Sequence, residues 1–445
     1  MQLRFGLLIA TALFPSWVRV AFLLSPLMRI WRLWAAETGA AGLRKCFPGE
    51  DEASRRLRSY MIGLWLDTGA PPSRGSFFMQ TAVLGGWQKL GEAYPVGGPQ
   101  RTALAMVEAI EAKGGAVFVR CPVSEILLDE ATGAACGVIL SNGDEIRARR
   151  VVSAAGYRAT ESLLRNSAPN AYSPPARPLK TEQSAGFVMA NIGLNGTREA
   201  LGIGDATLWL QPADGTNGYD ALAGVDAFNA DPLGVPIEQI PAGITFPSIK
   251  GSGDGGGGDS GHHSCQILVP AEWRWFEDHL PTERCQAAID EAGSRHAPPH
   301  LERRNQAEYD EIKARWSARL LQLLHRHFPK TVGRVEFLDL STPLSIEHYL
   351  ASYRGAGVGL DVTPRRFVDP HELAELACEH PRVPGLWRAG QDYLMCGQVM
   401  AAASGIITAL RMRGVLDTLR FGVRALRLIV LSLYFPAEND DEKDL

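Results

Sequence analysis

Two stretches of the chain repeat apolar residues at helical spacing. Ala103, Met106, Val107 and Ile110 fall at i, i+3, i+4 and i+7, and Tyr309, Ile312, Trp316, Leu320 and Leu323 mark one face of a second run. Each predicts a helix with one buried side. Gly114-Gly115 ends the first where a left-handed cap is expected, and Pro329 closes the second. Between them, short apolar runs predict strands over 116–119, 123–128, 137–140 and 145–152, with Asn142-Gly143 as a hairpin turn. Further strands are predicted over 185–194, 207–210 and 266–269. Near the end, Leu386 to Ala389 predicts a strand that turns at Gly390 into a small-residue helix from about Gln398. A strand turning on glycine into a helix aims unpaired N–H groups and a positive dipole end at whatever lies above the turn. Residues 35–75 read as mixed-charge helix closing on Pro71-Pro72-Ser73, and the Pro, Asn and Ser of 169–178 mark a domain boundary.

The two ends differ from the middle. The apolar runs 5–18 and 20–28 are separated by Arg19 and interrupted by Pro15, and each falls short of the roughly 18–20 residues that cross a bilayer. They predict a pair of helices joined near Ser25-Pro26. Arg29 and Arg32 beside Trp31 and Trp34 suit either a membrane interface or an ordinary packed pair. Residues 411–435 combine Arg411, Arg413, Arg420, Arg424 and Arg427 with Leu416, Leu419, Val423 and Leu426. That is a basic amphipathic helix suited to an anionic surface, followed by an acidic tail expected to be disordered.

Composition narrows the picture. The 445 residues are 46% hydrophobic and 21% charged with net charge −4, which is a globular profile of two or three domains without a nucleic-acid-binding face. Seven cysteines without a Cys-x-x-Cys pair predict buried thiols, with no disulfide framework and no metal site. Gly251-Ser-Gly-Asp-Gly-Gly256 has the dinucleotide spelling but neither a strand before it nor a helix after it, so it reads as a loop. His262-His263 with Cys265 reads as a solvated loop, His325 and His327 as favourable charges at a helix C-terminus, and Asn195-Gly196-Thr197 as a turn. No residue pair stands out as an acid–base dyad, so no catalytic residue is assigned.

Gly385-Leu-Trp-Arg-Ala-Gly-Gln-Asp392, followed by Cys396-Gly397 and Ala401-Ala402-Ala403, resembles the closing motif of the retinol saturase and carotenoid isomerase family. These are FAD enzymes related to phytoene desaturases. Tyr94-Pro-Val-Gly-Gly98, Gly114-Gly-Ala-Val117, Pro122-Val-Ser-Glu-Ile126 and Val151-Val-Ser-Ala-Ala-Gly156 are similar to the same family, and the likeness covers about residues 20–412. It implies an α/β fold with an incomplete FAD/NAD(P)-binding domain of the phytoene desaturase or amine oxidase type, over 76–165 and 375–412. A mixed-sheet substrate domain would span 166–374, a helical, membrane-facing cap 1–75, and the basic helix and acidic tail 413–445. By this resemblance Asp392 holds a ribityl hydroxyl, with Gly390 and Gln391 completing its turn. The helix start at Gln398 and Val399 faces the N1–C2=O edge of the flavin. Val123 gives a backbone contact near the adenine, and Ala154, Ala155 and Gly156 pass beneath the cofactor. Small residues there have a physical reason, since only they let backbone approach a ligand closely. Tyr349 and Arg354 are candidate substrate-lining residues.

Members of that family open with a strand carrying G-x-G-x-x-G and a later ribose-binding glutamate, and the first 90 residues here contain neither. An incomplete gene model is the favoured expectation, ahead of a chain paired with a separate Rossmann subunit or a paralogue without flavin. The function implied is an FAD-dependent oxidoreductase acting on a conjugated polyene, by retinol saturase-like reduction or carotenoid cis/trans isomerisation. NAD(P)H is a candidate electron donor, and the implied setting is a membrane surface, of the endoplasmic reticulum or a plastid. The alternative is a non-catalytic isoprenoid-binding paralogue, or a half-enzyme.

Overall fold

The computed structural model describes residues 11–90, 93–167, 172–212, 221–250, 261–280, 305–414, 416–418 and 420–424. The glycine run 251–260 and the tail from 425 onward lie outside them. The first described helices are α1 (Ser16–Leu24) and α2 (Arg29–Ala35). They break where Pro26 removes an N–H, and the Ser25 hydroxyl closes the break on Phe22 O at 2.6 Å. The Arg32 guanidinium donates to the carbonyls of Leu23 and Ser25 across it. Leu23, Met28, Trp31 and Ala35 are wholly buried against Phe78, Met79, Val362 and Phe367. The Trp31 and Phe78 rings meet edge-on at 4.2 Å. On the other side of the pair Trp17, Leu24, Leu27 and Leu33 are exposed. The helices α3 (Gly39–Cys46), capped by Thr38, α4 (Glu52–Met61), capped by Asp51, and α5 (Phe77–Leu90) complete this helical layer.

Helix α6 (Gln100–Glu111) ends as predicted, with Gly114 left-handed at φ +77°. It has no buried residue. The strand predicted over 116–119 does not form a ladder, and Phe118 and Val119 are largely exposed. An extended run with no neighbouring strand to accept its N–H groups gains nothing from pairing. The meander β1 (Val123–Leu128), β2 (Ala135–Leu140) and β3 (Glu145–Arg147) follows, turning at Gly143. The strand predicted over 145–152 is split: after β3 the chain leaves the meander, and β4 (Val151–Ser153) pairs elsewhere before α7 (Tyr157–Ser167).

The largest core lies under a five-stranded sheet built around β5 (Gly186–Asn195), whose alternate residues Val188, Ala190, Ile192 and Leu194 face inward. After β6 (Leu208–Leu210), α8 (Ala221–Ala230), β7 (Ala242–Thr245) and β8 (His262–Ala271) comes α9 (Gln306–His327). It packs Trp316, Leu320, Leu323 and Leu324 into that core. Strand β9 (Val335–Ser341) completes the order β6-β7-β8-β5-β9. Where a mixed sheet is expected over 166–374, the described strands form an antiparallel one. Every pair in this sheet is antiparallel, and among the described residues parallel pairing is confined to β4 with β10 (Leu386–Arg388). Helix α10 (Pro343–Leu350) and the small-residue helix α11 (Gln398–Arg413) close the described fold, and Gly414 separates α11 from the basic segment beyond.

A buried polar network anchors α7 to the segment before β10. Glu161 accepts from the Tyr172 hydroxyl, from His380 Nε2 at 3.2 Å and from Arg382 at 3.3 Å, while Arg382 also holds Glu375 at 2.7 Å. The His380 Nδ1 accepts from the backbone N–H groups of Arg382 and Val383 at 3.3 and 3.0 Å. Those two donors fix the neutral tautomer with its proton on Nε2. Burial pushes the His380 pKa down despite the Glu161 contact. Burial alone would raise Glu161, but the His380 and Tyr172 hydrogen bonds overcome it and hold the carboxyl below its usual range. Both pKa values are depressed on folding, so the unfolded chain binds more protons and stability falls as pH falls. Stability measured by urea unfolding is expected to drop from pH 7.5 to pH 5.5 through His380, by up to about 1.4 kcal/mol per pH unit, while the Glu161 contribution is lost only at more acid pH, below the ordinary carboxylate range. His380→Gln, which keeps a donor and an acceptor but does not titrate, should flatten that decline.

Candidate functional site

The parallel register of β4 and β10 (Val151 with Leu386, Val152 with Trp387, Ser153 with Arg388) sets two strand ends side by side. Ala154-Ala155-Gly156 leaves one and Ala389-Gly390-Gln391-Asp392 leaves the other. A crevice of about 80 Å³ opens there, lined by residues of both segments. Carboxyl ends of parallel strands are where α/β folds place ligands. The crevice shares Ala155, Arg158, Ala159 and Tyr353 with a groove of about 600 Å³ that runs on to Val123 and Glu347.

The Asp392 carboxylate ties the crevice together. One oxygen accepts from the N–H of Tyr157, the first residue of α7, at 2.7 Å, and the other from the N–H of Leu360 at 2.8 Å. The first contact caps the positive end of α7. Two glycines make room for it. Gly156 sits at φ +89°, and a Cβ there would lie 2.9 Å from one carboxylate oxygen. Gly359 sits at φ +74°, and a Cβ there would lie 2.1 Å from the other. Beneath, the buried Arg366 donates to the carbonyls of Leu360, Gln391 and Asp392 at 2.7–2.9 Å. Helix α11 is fastened to the same turn by side chains: Ser404 Oγ accepts from Gly390 N–H at 2.6 Å, and the Thr408 hydroxyl donates to Arg388 O at 2.8 Å.

Ala154, Ala155, Gly156, Gln391 and Asp392 thus line one crevice, Gly390 makes the turn between its lining neighbours Ala389 and Gln391 at φ +104°, and Val123 lines the adjoining groove. The remaining expected residues do not join them. Gln398 and Val399 lie exposed at the start of α11, whose first turn has no side-chain cap, and they line neither cavity. Tyr349 and Arg354 are exposed and also line neither. After α10, left-handed Ala351 and Arg354, both at φ 52°, redirect the chain so that Tyr353 takes the lining position. Arg158, Gln183 and Tyr353 were not singled out by the sequence, although an arginine in the first turn of a helix opposes the dipole and is a local irregularity.

Gly359→Ala is expected to lose about 2–4 kcal/mol of stability in urea unfolding, since it combines a strained φ with loss of a buried carboxylate contact. Gly405→Ala, within α11 and with open space at its Cβ position, should instead gain about 0.5–1 kcal/mol.

Residues 20–190 match the model of the flavin-containing amine oxidoreductases. All-trans-retinol 13,14-reductase of Macaca fascicularis is 29% identical over 369 residues, covering 80% of this chain and 54% of the relative. A protein of Danio rerio named inactive all-trans-retinol 13,14-reductase is 28% identical over 345 residues, 77% of this chain and 52% of its own. The chain therefore spans about half the length of the curated relatives it matches. Among solved structures, an oxidoreductase from Methanosarcina mazei aligns over 88% of this chain and 74% of its own, at 15% identity and a TM-score of 0.49. By these comparisons the chain is similar to the all-trans-retinol 13,14-reductases, and part of it to the flavin-containing amine oxidoreductases.

Proposed function

We propose that the crevice and groove receive a flavin, and that the chain is the flavin-facing part of an oxidoreductase that reduces a double bond of a conjugated, retinol-like polyene. The observation that carries this reading is the meeting of two small-residue strand ends, distant in sequence, around a crevice with polar walls. The residues present fit such a group. Ala154, Ala155 and Gly156 leave the backbone open to approach, and each Asp392 oxygen keeps a lone pair beyond its structural hydrogen bond. Shielded polar atoms of Arg158 and Gln183 lack protein partners. A bound flavin supplies the hydride or electron chemistry, and the chain supplies position and polarity. Flavin absorbance and fluorescence quenching on titration with FAD test this reading. Saturable binding that is weakened at least about tenfold by Asp392→Ala, with the variant still folded, is the expected result. No binding to the chain under any condition would overturn it. Product analysis with all-trans-retinol and reduced flavin separates reduction from isomerisation.

A second reading is favoured by the unpartnered side of the cofactor region. Helix α6 buries nothing, Val117, Phe118 and Val119 are exposed, and β4–β10 is a two-stranded parallel pair, which is marginal alone. On this reading another polypeptide segment completes the site, and flavin binds only on co-expression with it.

The chain is also read as a peripheral membrane protein. Among the described residues no helix is long and apolar enough to cross a membrane, while the outer face of α1–α2 presents Trp17, Leu24, Leu27 and Leu33. Trp17→Glu with Leu27→Glu is expected to cut co-sedimentation with phosphatidylcholine–phosphatidylserine vesicles severalfold and leave Tm unchanged. Equal sedimentation of variant and parent would remove this part of the proposal.

A further inference from the structure

Two polar atoms in the wall of the crevice are shielded from solvent and have no hydrogen-bond partner among the described residues: Nε of Arg158 and Oε1 of Gln183. Buried polar groups in native proteins are almost always paired, so two orphans in one wall call for a physical cause. The cost of each is comparable to a lost hydrogen bond. Among the described residues neither side chain is held by a short hydrogen bond or an ion pair. The Arg158 guanidinium lies 5.8 Å from the Tyr157 ring centre and 6.0 Å from that of Tyr353, with one long contact of 3.5 Å to Thr181 O. Among the described residues no carboxylate within ion-pair distance of it is found. The rings hold the cation at the junction of crevice and groove without neutralising it. Gln183 is fixed by its backbone, which bridges to Leu360, the residue whose N–H is held by Asp392.

The two orphans are chemically opposite. Arg158 offers only donors and a full positive charge, while Gln183 Oε1 only accepts. A ligand that satisfies both carries an anionic oxygen and a hydroxyl a short distance apart. We infer that Arg158 and Gln183 form a subsite for a phosphorylated polyol, with Arg158 holding phosphate oxygens and Gln183 Oε1 accepting from a polyol hydroxyl. This rests on the flavin reading, in which the group is the ribityl-phosphate arm. Arginine is suited to the role because its planar fork matches phosphate geometry.

The test compares FMN with riboflavin, which lacks the phosphate, by flavin fluorescence quenching on the full chain. Ribitol 5-phosphate is measured separately by ligand-observed NMR at millimolar concentration, and circular dichroism checks the fold of each variant. FMN should bind at least about tenfold tighter than riboflavin. Arg158→Gln should abolish that ratio while leaving riboflavin affinity unchanged, and Arg158→Lys should keep part of it. Gln183→Leu should weaken both flavins alike, by roughly fivefold to tenfold. An FMN-to-riboflavin ratio unaltered by Arg158→Gln overturns the subsite and leaves the flavin reading intact. If no flavin binds but ribitol 5-phosphate does, and Arg158→Gln abolishes that signal, the subsite stands and the flavin reading falls. If ribitol 5-phosphate is silent as well, both fall.

Discussion

The site depends on one carboxylate serving two backbone donors. Asp392 joins the start of α7 to the turn at Leu360 and does so from the turn that follows β10, so three segments share a single anchor. The arrangement works only because Gly156 and Gly359 present no Cβ to it. Arg366, buried below, neutralises the region and gathers three carbonyls that would otherwise lack donors. Without that junction the ends of β4 and β10 would have no fixed relation beyond three paired residues, and the crevice would lose its shape.

Much of this was legible in the sequence, for identifiable reasons. The helix face from Tyr309 to Leu323, the alternation in 185–194 and the glycine stop at Gly114 are local signals that tertiary packing reinforces. The break at Ser25-Pro26 follows from a missing N–H. Long-range pairing was not legible in the residue pattern itself, and only the family resemblance joins 76–165 to 375–412. The run 145–152 carries the pattern of one strand, yet β4 leaves the hairpin for a partner more than two hundred residues away. The 116–119 run has strand propensity but no neighbour, and propensity does not make a ladder. Within the site, Gly156, Gly390 and Asp392 were singled out only by the family resemblance of their motifs, whereas Gly359, Arg158, Gln183 and Tyr353 were not singled out, because their meaning lies in contacts that no local pattern reports. Tyr349 and Arg354 were misplaced by a short left-handed turn that no helical periodicity reports.

The family resemblance sets the chemistry in bounds without fixing it. The matched relatives include one named a reductase and one named inactive, at nearly the same identity to this chain. Identity over the shared region therefore does not separate the relatives named as reductases from the one named inactive. The features that bear on the question are local: whether the crevice wall keeps its unclaimed donor and acceptor, and whether the apolar side of α6 is covered.

The parallel pairing of β4 with β10 also has a kinetic side. The Asp392–Tyr157 hydrogen bond closes a loop of 235 residues, whereas the β5–β8–β9 sheet and the α1–α2 hinge are built largely from nearer contacts. Closing so long a loop costs entropy before it returns any contact energy, and topology of this kind slows folding. The two halves of the crevice are thus expected to meet late, after the antiparallel sheet has condensed. A molecule that seats between them would act as a clamp on the final folding step, and a nascent chain made without it would linger with that seam open.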